Sequence, residues 1–277
     1  MKNASLLRKP LNALLDRFRR DTRASHPAAT ASPAIDSAEE QYRLGQAYLT
    51  GRGAPNYPTT AVKWLSQAAL QGHAQACHNL SLIYLTGALA SAPATTWAAE
   101  AQSRGVAANV ALLFPDGFDV EPDPEKALGF AKVAARQGLA CAQANLGMLY
   151  LRGIGCAQDF SRAEHWCRQA ALQQDAGGEL GLGIIHEHGL GVPVDLAEAA
   201  RWYRASAVQG NDAAATALGL LTLEGRGVGQ DLVEAQRLLA GPATRGNDFA
   251  KQGLVKLRLA STNYGQTPDD PDRDIDR

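Results

Sequence analysis

The feature that most constrains the fold is a sequence pattern that repeats every 36 residues. Leu146–Gly147 is repeated as Leu182–Gly183, and Trp166 as Trp202, so each pair differs by 36 (147 to 183, 166 to 202). The loop residues Gly153, Gly155 and Asp159 keep the same offset to Gly189, Gly191 and Asp195. A period in this range is typical of a solenoid, in which each unit buries its apolar face only against neighbouring units.

Each unit contains two apolar stretches with helical spacing, separated by a pair of glycines. The first stretch includes Ala142, Leu146 and Tyr150, and the second includes Ala163, Trp166 and Ala170. Both spacings place their apolar residues on one stripe of a helix. The sequence therefore predicts two helices per unit that face one shared interior.

Glycines inside the first helical pattern need a structural reason. Gly147 and Gly183 each cost roughly 1 kcal/mol relative to alanine in a helix interior. We expect close approach of the partner helix to offset this cost, with Trp166 or Trp202 as the side chain that needs the room.

The loops carry the residues that end one helix and begin the next. Gly153 and Gly189 follow the first helix, where a left-handed residue usually ends it. Asp195 and Asp231 precede the second helix, and a glutamate follows three residues later in each case, at Glu198 and Glu234. This spacing predicts a capping box.

These residues give the chain a specific family resemblance. The pattern AxxxLGxxYxxGxG(V)xxDxxxAxxW(Y)xxAAxxG resembles the Sel-one-like repeat (SLR), a relative of the tetratricopeptide repeat. One copy is formed by Ala142, Leu146, Gly147, Tyr150, Gly153, Gly155, Asp159, Ala163, Trp166, Ala170 and Ala171. The next is formed by Leu182, Gly183, Gly189, Gly191, Val192, Asp195, Ala199, Trp202, Tyr203, Ala207 and Gly210. The resemblance implies an all-α fold, an α/α solenoid of about six such repeats plus a C-terminal capping helix.

The pattern divides the chain into three parts. Residues 1–37 form a basic amphipathic segment and a flexible linker, 38–261 form the repeat solenoid, and 262–277 form an acidic tail predicted to be disordered. One further helix near Leu254 is expected to close the end of the core.

Four of the repeats depart from the pattern. In repeat one, Thr59 or Thr60 stands near the position of the capping aspartate. Repeat two begins with Tyr84 and Gly87 at their expected positions but lacks the second glycine and the aspartate. Repeat three keeps the loop, with Gly117 and Asp119 at the glycine positions and Asp123 as the cap. Its first helix, within residues 105–117, is about one turn short, which predicts a kink there. In repeat six, Leu238 replaces tryptophan, and Gly241–Pro242 is expected to break the second helix.

The N-terminal segment is open to three interpretations. Leu7, Leu11, Leu14, Leu15 and Phe18 can share one helix face, with arginines on the other faces. Such a segment can be a capping or loosely ordered helix, a membrane-surface or partner helix within residues 1–24, or an organelle transit peptide. Arg8, Lys9 and Pro10 interrupt any signal-peptide core, and no run is long enough to span a bilayer.

Composition and cysteine usage limit the partners and the compartment. The formal net charge is -1 and 20% of the residues are charged, so the sequence provides no basic field for nucleic acid. Secreted members of the family place a cysteine pair in each repeat. Here four cysteines occupy unrelated repeat positions: Cys77, Cys141, Cys156 and Cys167. We expect them to be reduced and the protein to be cytoplasmic and monomeric, with the mitochondrial matrix or a peripheral membrane location as alternatives.

Ligand-binding motifs are weak. Gly153–Ile154–Gly155 and Gly225–Arg226–Gly227 resemble fragments of nucleotide loops, but they recur at the repeat period and no GxxxxGK[ST] occurs. His186–Glu187–His188 offers metal-ligand groups, but adjacent residues on a helix point apart, and HExxH is absent. The sequence predicts no cofactor and no metal site.

Catalytic motifs are equally weak. Cys167 lies near His165 in sequence, but consecutive helical residues face different sides. Some relatives are linked to β-lactamase activity, but no serine here is followed three residues later by lysine. We predict no catalysis; a hydrolase remains one alternative function, and a membrane-associated regulator tethered by its N-terminal helix is the other.

The predicted function depends on the residue that precedes each Leu–Gly step of the first helices. This row consists of Arg43, Asn79, Asn145, Gly181 and Ala217. Asparagine carboxamides can donate to and accept from a peptide backbone. The sequence therefore predicts a protein-interaction scaffold or adaptor that binds a peptide or protein partner in a concave groove, through Arg43, Asn79 and Asn145. Solvated positions without a ligand are the alternative.

Overall fold

The computed structural model describes residues 37–52, 57–87 and 120–264, and eleven α-helices lie in these ranges. In chain order they are α1 (Ala38–Thr50), α2 (Pro58–Leu70), α3 (Ala74–Thr86), α4 (Pro124–Arg136), α5 (Ala140–Arg152), α6 (Phe160–Ala171), α7 (Ala176–His188), α8 (Leu196–Val208), α9 (Asp212–Glu224), α10 (Leu232–Thr244) and α11 (Asp248–Tyr264). The predicted all-α class is confirmed.

The helices form two compact units, Met1–Gln158 and Asp159–Arg277. In the first unit, each helix from α1 to α5 packs against the next along the chain, and the same holds from α6 to α11 in the second unit. Helix α11 also packs against α9. This pairing of sequential neighbours is the packing of an α/α solenoid, as predicted.

The predicted helix ends are confirmed. Gly153 and Gly189 both adopt left-handed backbone conformations, with φ of 68° and 66°, at the ends of α5 and α7. At the start of α8 the carboxylate of Asp195 accepts a hydrogen bond from the backbone N–H of Glu198 at 2.9 Å, and Asp231 does the same for Glu234. Each cap satisfies backbone groups that the helix leaves unpaired.

The predicted capping box is only half present. The backbone N–H of Asp195 donates to the carbonyl of His186 at 2.9 Å, and that of Asp231 donates to the carbonyl of Thr222 at 3.2 Å. The glutamate side chains instead pair with arginines, Glu198 with Arg201 and Glu234 with Arg237. The N–H that a capping glutamate would satisfy therefore joins the second helix to the end of the first.

The partner of the helical glycine was predicted incorrectly. A Cβ added at Gly183 would lie 2.4 Å from the ring of Tyr203, whereas Trp202 is not among its nearest neighbours. The same position contacts Leu65 at Gly45 and Leu239 at Gly219. The residue after the tryptophan fills the space because a step of one residue turns a helix position by about 100°. Trp202 lies beside this contact, half-buried, and its Nε1 has no hydrogen-bond partner in the described residues.

The structure pairs repeats two and three differently from the sequence pattern. Helix α3, which begins repeat two, packs directly against α4, which ends repeat three. The backbone N–H of Asp123 donates to the carbonyl of Tyr84 at 2.7 Å, the same bond that Asp195 makes to His186. The rings of Tyr84 and Phe130 stack with centroids 5.9 Å apart. Helices α3 and α4 therefore form one composite repeat.

Side-chain sizes in the composite repeat agree with this pairing. Where other repeats place a glycine opposite a large residue, α3 has Ser81 and α4 has Ala131, and both are fully buried. A slightly larger residue on one helix is matched by a smaller one on the other, which conserves packed volume. A Cβ added at Gly87 would meet the carbonyl oxygen of Val120 at 2.9 Å and the ring of Pro122, so Gly87 occupies the loop position that the sequence pattern assigned to Gly117.

In three of the described repeats, the second loop glycine packs against the preceding repeat, at Gly155, Gly191 and Gly227. A Cβ at Gly155 would lie 2.1 Å from the carbonyl oxygen of Pro124, and a Cβ at Gly227 would lie 2.4 Å from that of Leu196. Each contacted residue is the first residue of the preceding second helix. Both glycines also have positive φ, 71° and 70°. They therefore serve close packing between repeats, and this accounts for the glycine motif.

Two further expectations are wrong. Helix α2 begins at Pro58 after Tyr57, which makes no side-chain cap, so neither Thr59 nor Thr60 is the capping residue. Helix α10 continues through Pro242 to Thr244. Pro242 has no N–H to donate to the carbonyl of Leu238, so the helix continues through it with one hydrogen bond fewer, and its ring is buried.

Several predictions fall outside the described residues. These are the amphipathic segment and linker up to residue 36, the short helix and kink within 105–117, and the tail beyond residue 264. Helix α11 confirms one further helix after repeat six and extends to Tyr264.

Candidate functional site

The candidate site is the row of residues that precede the Leu–Gly position in the first helices of the first unit. The helices α1, α3 and α5 carry Arg43, Asn79 and Asn145 at this position. Arg43 is exposed, and both asparagines are half-buried. In each helix the next residue is a leucine that faces the core, so helical geometry places the row beside the packed interface.

Arg43 is held by a local ion pair. Its Nε donates to Oε1 of Glu39 at 2.8 Å, one helical turn earlier. Oε2 of Glu39 lies 3.2 Å from Nε2 of His73. The hydrogen bonds from His73 and Arg43 lower the pKa of the Glu39 carboxyl. Only Nε of Arg43 makes a hydrogen bond in the described part of the chain, so its terminal nitrogens remain for a partner.

The two asparagines differ in their hydrogen bonding. Nδ2 of Asn145 donates to Oγ of Ser81 at 3.1 Å, which joins α5 to α3. The carboxamide of Asn79 makes no hydrogen bond to any residue in 37–52, 57–87 or 120–264. Asn145 therefore supports the packing between two first helices, whereas the carboxamide of Asn79 is not held by any of the described residues.

The rest of the predicted row lies in the second unit. Gly181 on α7 is buried and Ala217 on α9 is half-buried. A buried glycine offers neither a side chain nor an accessible backbone, so this part of the row provides no polar contact. The polar residues of the row are confined to the first unit.

Sequence reasoning missed an aromatic and basic cluster in the first unit. Nζ of Lys126 lies 5.4 Å from the centroid of the Tyr84 ring, and Nζ of Lys132 lies 5.8 Å from that of Tyr150. Both distances are within the range of a cation–π contact. Tyr84 and Tyr150 lie at the same position of the repeat, but their lysine partners come from α4, whose pairing with α3 the repeat pattern did not show.

The residues considered as metal ligands do not form a site. Glu187 accepts a hydrogen bond from the hydroxyl of the buried Tyr203 at 2.6 Å, so its carboxylate is occupied. Burial and this carboxylate raise the pKa of Tyr203. His186 is half-buried, and His188 is exposed at the end of α7. Within the described ranges no cluster of three or more histidine, cysteine, aspartate or glutamate residues could hold a metal ion.

The thiol considered as a nucleophile is unsuited to that role. Cys167 is fully buried, and burial raises its pKa to about 12. Cys77 is in the same state for the same reason. Because the thiolate is the reactive form, neither thiol is nucleophilic near neutral pH. Cys141 and Cys156 are half-buried, and none of the four cysteines forms a disulfide.

The fold and the row together define a helical-repeat protein with a polar strip on its first helices. The sequence model of the Sel1 repeat matches residues 41–73, 74–92, 107–139, 142–175, 177–211 and 212–240. These segments cover more than half of the chain, which therefore belongs to the Sel1 repeat family. The matches at 74–92 and 107–139 are the places where the structure joins α3 to α4 instead.

Two solved structures are similar to this chain. A Sel1 repeat protein from Oxalobacter formigenes is 23% identical with a TM-score of 0.62, over 87% of this chain and 84% of that one. The second is c5321, a protective antigen of uropathogenic Escherichia coli strains with an SLR fold; it is 26% identical with a TM-score of 0.61. The alignment covers 93% of this chain but 46% of c5321, so this chain spans less than half of its length. No curated protein sequence matches the chain.

None of the helices in the described ranges has the length and apolar character needed to cross a bilayer.

Proposed function

We propose that this protein is a non-catalytic interaction scaffold that binds a peptide or protein partner along the first helices of its first unit. Sel1 repeat proteins are generally protein-interaction scaffolds. The observation that carries the proposal is the carboxamide of Asn79, which makes no hydrogen bond within the described ranges and lies in a row with the exposed Arg43 and with Asn145. The partner segment lies in the groove expected on this face.

The spacing of the row suits an extended segment. Neighbouring packed helices lie about 8–10 Å apart, and an extended chain advances about 3.3 Å per residue. One repeat therefore spans about three partner residues. The Asn79 carboxamide donates to and accepts from one partner backbone unit, and the terminal nitrogens of Arg43 bind a carboxylate one repeat away. We propose an extended partner with an acidic residue at that position.

The proposal is tested with peptides selected by the wild-type protein from a random displayed library. The double variant Arg43→Ala, Asn79→Ala removes both side chains while leaving the core residues untouched. We expect affinity for the selected peptides to fall at least about tenfold, because each hydrogen bond contributes roughly 1 kcal/mol and those to a charged group more. Fluorescence anisotropy of labelled peptides measures the change.

A matched control changes a cation and an amide on the second helix of the same repeat. Lys63 and Gln67 are exposed on α2. The variant Lys63→Ala, Gln67→Ala should keep wild-type affinity. Equal losses in both double variants, or no loss in either, contradict the proposed face.

Asn145 is tested separately because it also supports the fold. Replacing it with alanine leaves Oγ of Ser81, in a fully buried residue, without its donor. A loss of binding in Asn145→Ala is assigned to the partner only if the melting temperature stays at its wild-type value.

Two alternatives lack a supporting observation in the described residues. The buried thiols of Cys77 and Cys167 do not favour a hydrolase, and a membrane-associated regulator depends on residues 1–24, which lie outside the described ranges. We propose a cytoplasmic location, because cysteines that form no disulfide, two of them half-buried, persist as thiols in a reducing compartment. The monomeric state predicted from the sequence stays a proposal.

A further inference from the structure

Helix α1 has an apolar face that is less covered than the same face of the later first helices. Leu44 is half-buried, whereas Leu80 and Leu146 at the same repeat position are fully buried. Ala47 is also half-buried, whereas its counterpart Leu149 is 1% exposed. Since α1 is the first helix of the array, these residues lack the cover that a preceding repeat provides.

In later repeats, the second helix of the preceding repeat covers the start of the first helix. A Cβ added at Gly178 in α7 would lie 2.5 Å from Cβ of Ala170, so α6 packs tightly against the start of α7. The equivalent residues Ala76 and Ala142 are fully buried. In α1 this position is Glu40, which is exposed. An ordinary second helix cannot occupy that place, because it would bury an unpaired carboxylate.

The occupant must therefore combine an apolar face with positive charge. Glu39 and Glu40 lie in the first turn of α1, and Glu40 accepts a hydrogen bond from Ser37 at 2.8 Å. Residues 1–24 contain seven lysines and arginines and two aspartates, which gives a net charge of +5 (7 − 2). The sequence of residues 7–18 places five large apolar side chains on one helix face: Leu7, Leu11, Leu14, Leu15 and Phe18.

The covalent connection makes this occupant available at high effective concentration. Residues 19–36 separate the apolar segment from the start of the array. Eighteen residues can span up to about 60 Å when extended. This reach is several times the width of a helix, so the linker allows docking without strain and converts it into an intramolecular event.

We infer that residues 7–18 dock as an amphipathic helix on the open face of α1. The leucines and Phe18 cover Leu44 and Ala47, and the arginines around them face Glu39 and Glu40. The docked helix replaces the missing preceding repeat while leaving the carboxylate of Glu40 beside a cation. The same apolar face cannot at once cover α1 and insert into lipid, so the inference excludes a membrane anchor as the resting state of this segment.

Hydrogen–deuterium exchange of the full chain tests the docking. The double variant Leu11→Asp, Leu14→Asp places two charges on the apolar face of the segment. We expect amides in residues 38–50 to exchange at least about tenfold faster than in the wild-type protein. A chain that begins at Ser37 should show the same faster exchange. The matched control is Asn12→Asp, Ala13→Asp, which adds the same two charges away from the apolar face and should exchange like the wild type.

The outcomes separate docking from its rivals. Equal exchange of residues 38–50 in the wild type, in Leu11→Asp, Leu14→Asp and in the truncated chain overturns the inference. In a second outcome, exchange is equal in all three proteins while the wild type, but not the double variant, pellets with anionic phosphatidylserine vesicles. That result would show that the apolar face of residues 7–18 binds a membrane and not α1. A far-UV circular dichroism spectrum with native helix content in each variant confirms that the array itself is folded.

Discussion

Glycines in this chain serve two different purposes, and the structure separates them. Gly210 has φ of 88° with no heavy atom near its missing Cβ, so it is needed only for its backbone conformation. Gly227 has φ of 70° and also lies against the backbone of Leu196. Gly229 has neither constraint. These three glycines therefore differ stepwise in what an added side chain would meet: no constraint, backbone conformation alone, or backbone conformation together with close packing.

Alanine substitutions at these three glycines should have graded effects. We expect Gly229→Ala to change the free energy of unfolding by less than about 0.5 kcal/mol. Gly210→Ala should cost about 1 kcal/mol from the left-handed backbone. Gly227→Ala should cost more than about 3 kcal/mol, because the overlap with backbone at 2.4 Å adds to that strain. Urea denaturation measures all three; equal costs at 210 and 227 would show that packing between repeats is looser than described.

The buried thiols make stability depend on pH in the alkaline range. The folded pKa of Cys77 and Cys167 is raised to about 12 by burial, whereas an unfolded cysteine titrates near about 8.5. The unfolded state therefore loses protons first, so stability is complete below about pH 8.5 and declines as the pH rises toward 12. At pH 10 each thiol should cost about 2 kcal/mol.

Urea denaturation at pH 8 and pH 10 tests this dependence. The variant Cys77→Ala, Cys167→Ala should be less stable than the wild type at pH 8, but it should lose less stability between the two pH values. Parallel losses in the two proteins would show that other groups cause the alkaline decline.

At the scale of helices, the pairing of α3 with α4 identifies a dispensable stretch of sequence. Gly87 and Asp123 are 36 residues apart, whereas Gly189 and Asp195 are 6 apart. Deleting residues 88–117 removes 30 residues and restores the ordinary loop length. We expect this variant to fold with a free energy of unfolding equal to the wild type or about 1.5 kcal/mol higher, because a shorter connection between α3 and α4 costs less closure entropy.

A deletion of equal length provides the control for this prediction. Deleting residues 74–103 removes α3 and moves residues 104–116 into its sequence position. This variant keeps the spacing from Gly117 to Asp123 but loses the Tyr84–Phe130 stack and the hydrogen bond from Asn145 to Ser81. It should lose more than about 3 kcal/mol. If instead it is the more stable of the two deletions, the sequence pattern has the pairing right.

The difference between predicted and observed elements has a physical cause. Helix ends were predictable because glycine conformation and aspartate caps act within a few residues. The pairing of α3 with α4 was not predictable, because both Gly87 and Gly117 could be the loop glycine before Asp123. The choice between them depends on side chains that meet across the core, such as Tyr84 and Phe130. The contact of Tyr203 with Gly183 was missed for a related reason. The apolar pattern includes both Trp202 and Tyr203, and it does not show which of the two faces the glycine.

The candidate site shows the same limit. The row of Arg43, Asn79 and Asn145 follows from the repeat alone. That Asn145 is bonded to Ser81, 64 residues away, depends on how first helices stack and cannot be read from local sequence. The positions of these residues in the repeat were therefore predictable, but the hydrogen bonds that their side chains make within the fold were not.

At the scale of the molecule, an array of this kind needs both of its ends covered. Helix α11 closes the second unit: Ala250 is fully buried, and Leu257 packs in a cluster with Leu223 and Ala235. A Cβ added at Gly253 would lie 2.9 Å from side-chain atoms of both Leu220 and Leu239. Because each repeat is stabilised mainly by its neighbours, losing a terminal helix exposes the core of the repeat before it.

Truncation after Gly246 should therefore destabilise the second unit. The loss removes the cover of Leu223 and Leu239 together with the burial of Leu257, and at about 25 cal/mol per Å² of apolar surface this exceeds about 3 kcal/mol. Truncation after Tyr264 keeps α11 and is the matched control, with an expected change below about 0.5 kcal/mol. Hydrogen exchange should locate the damage, with faster exchange in α9 and α10 and unchanged rates in α1 to α3, because energy in a repeat array is coupled between neighbours. Uniformly faster exchange along the whole chain would mean that the two units unfold as one cooperative body and that stability is not local to each repeat.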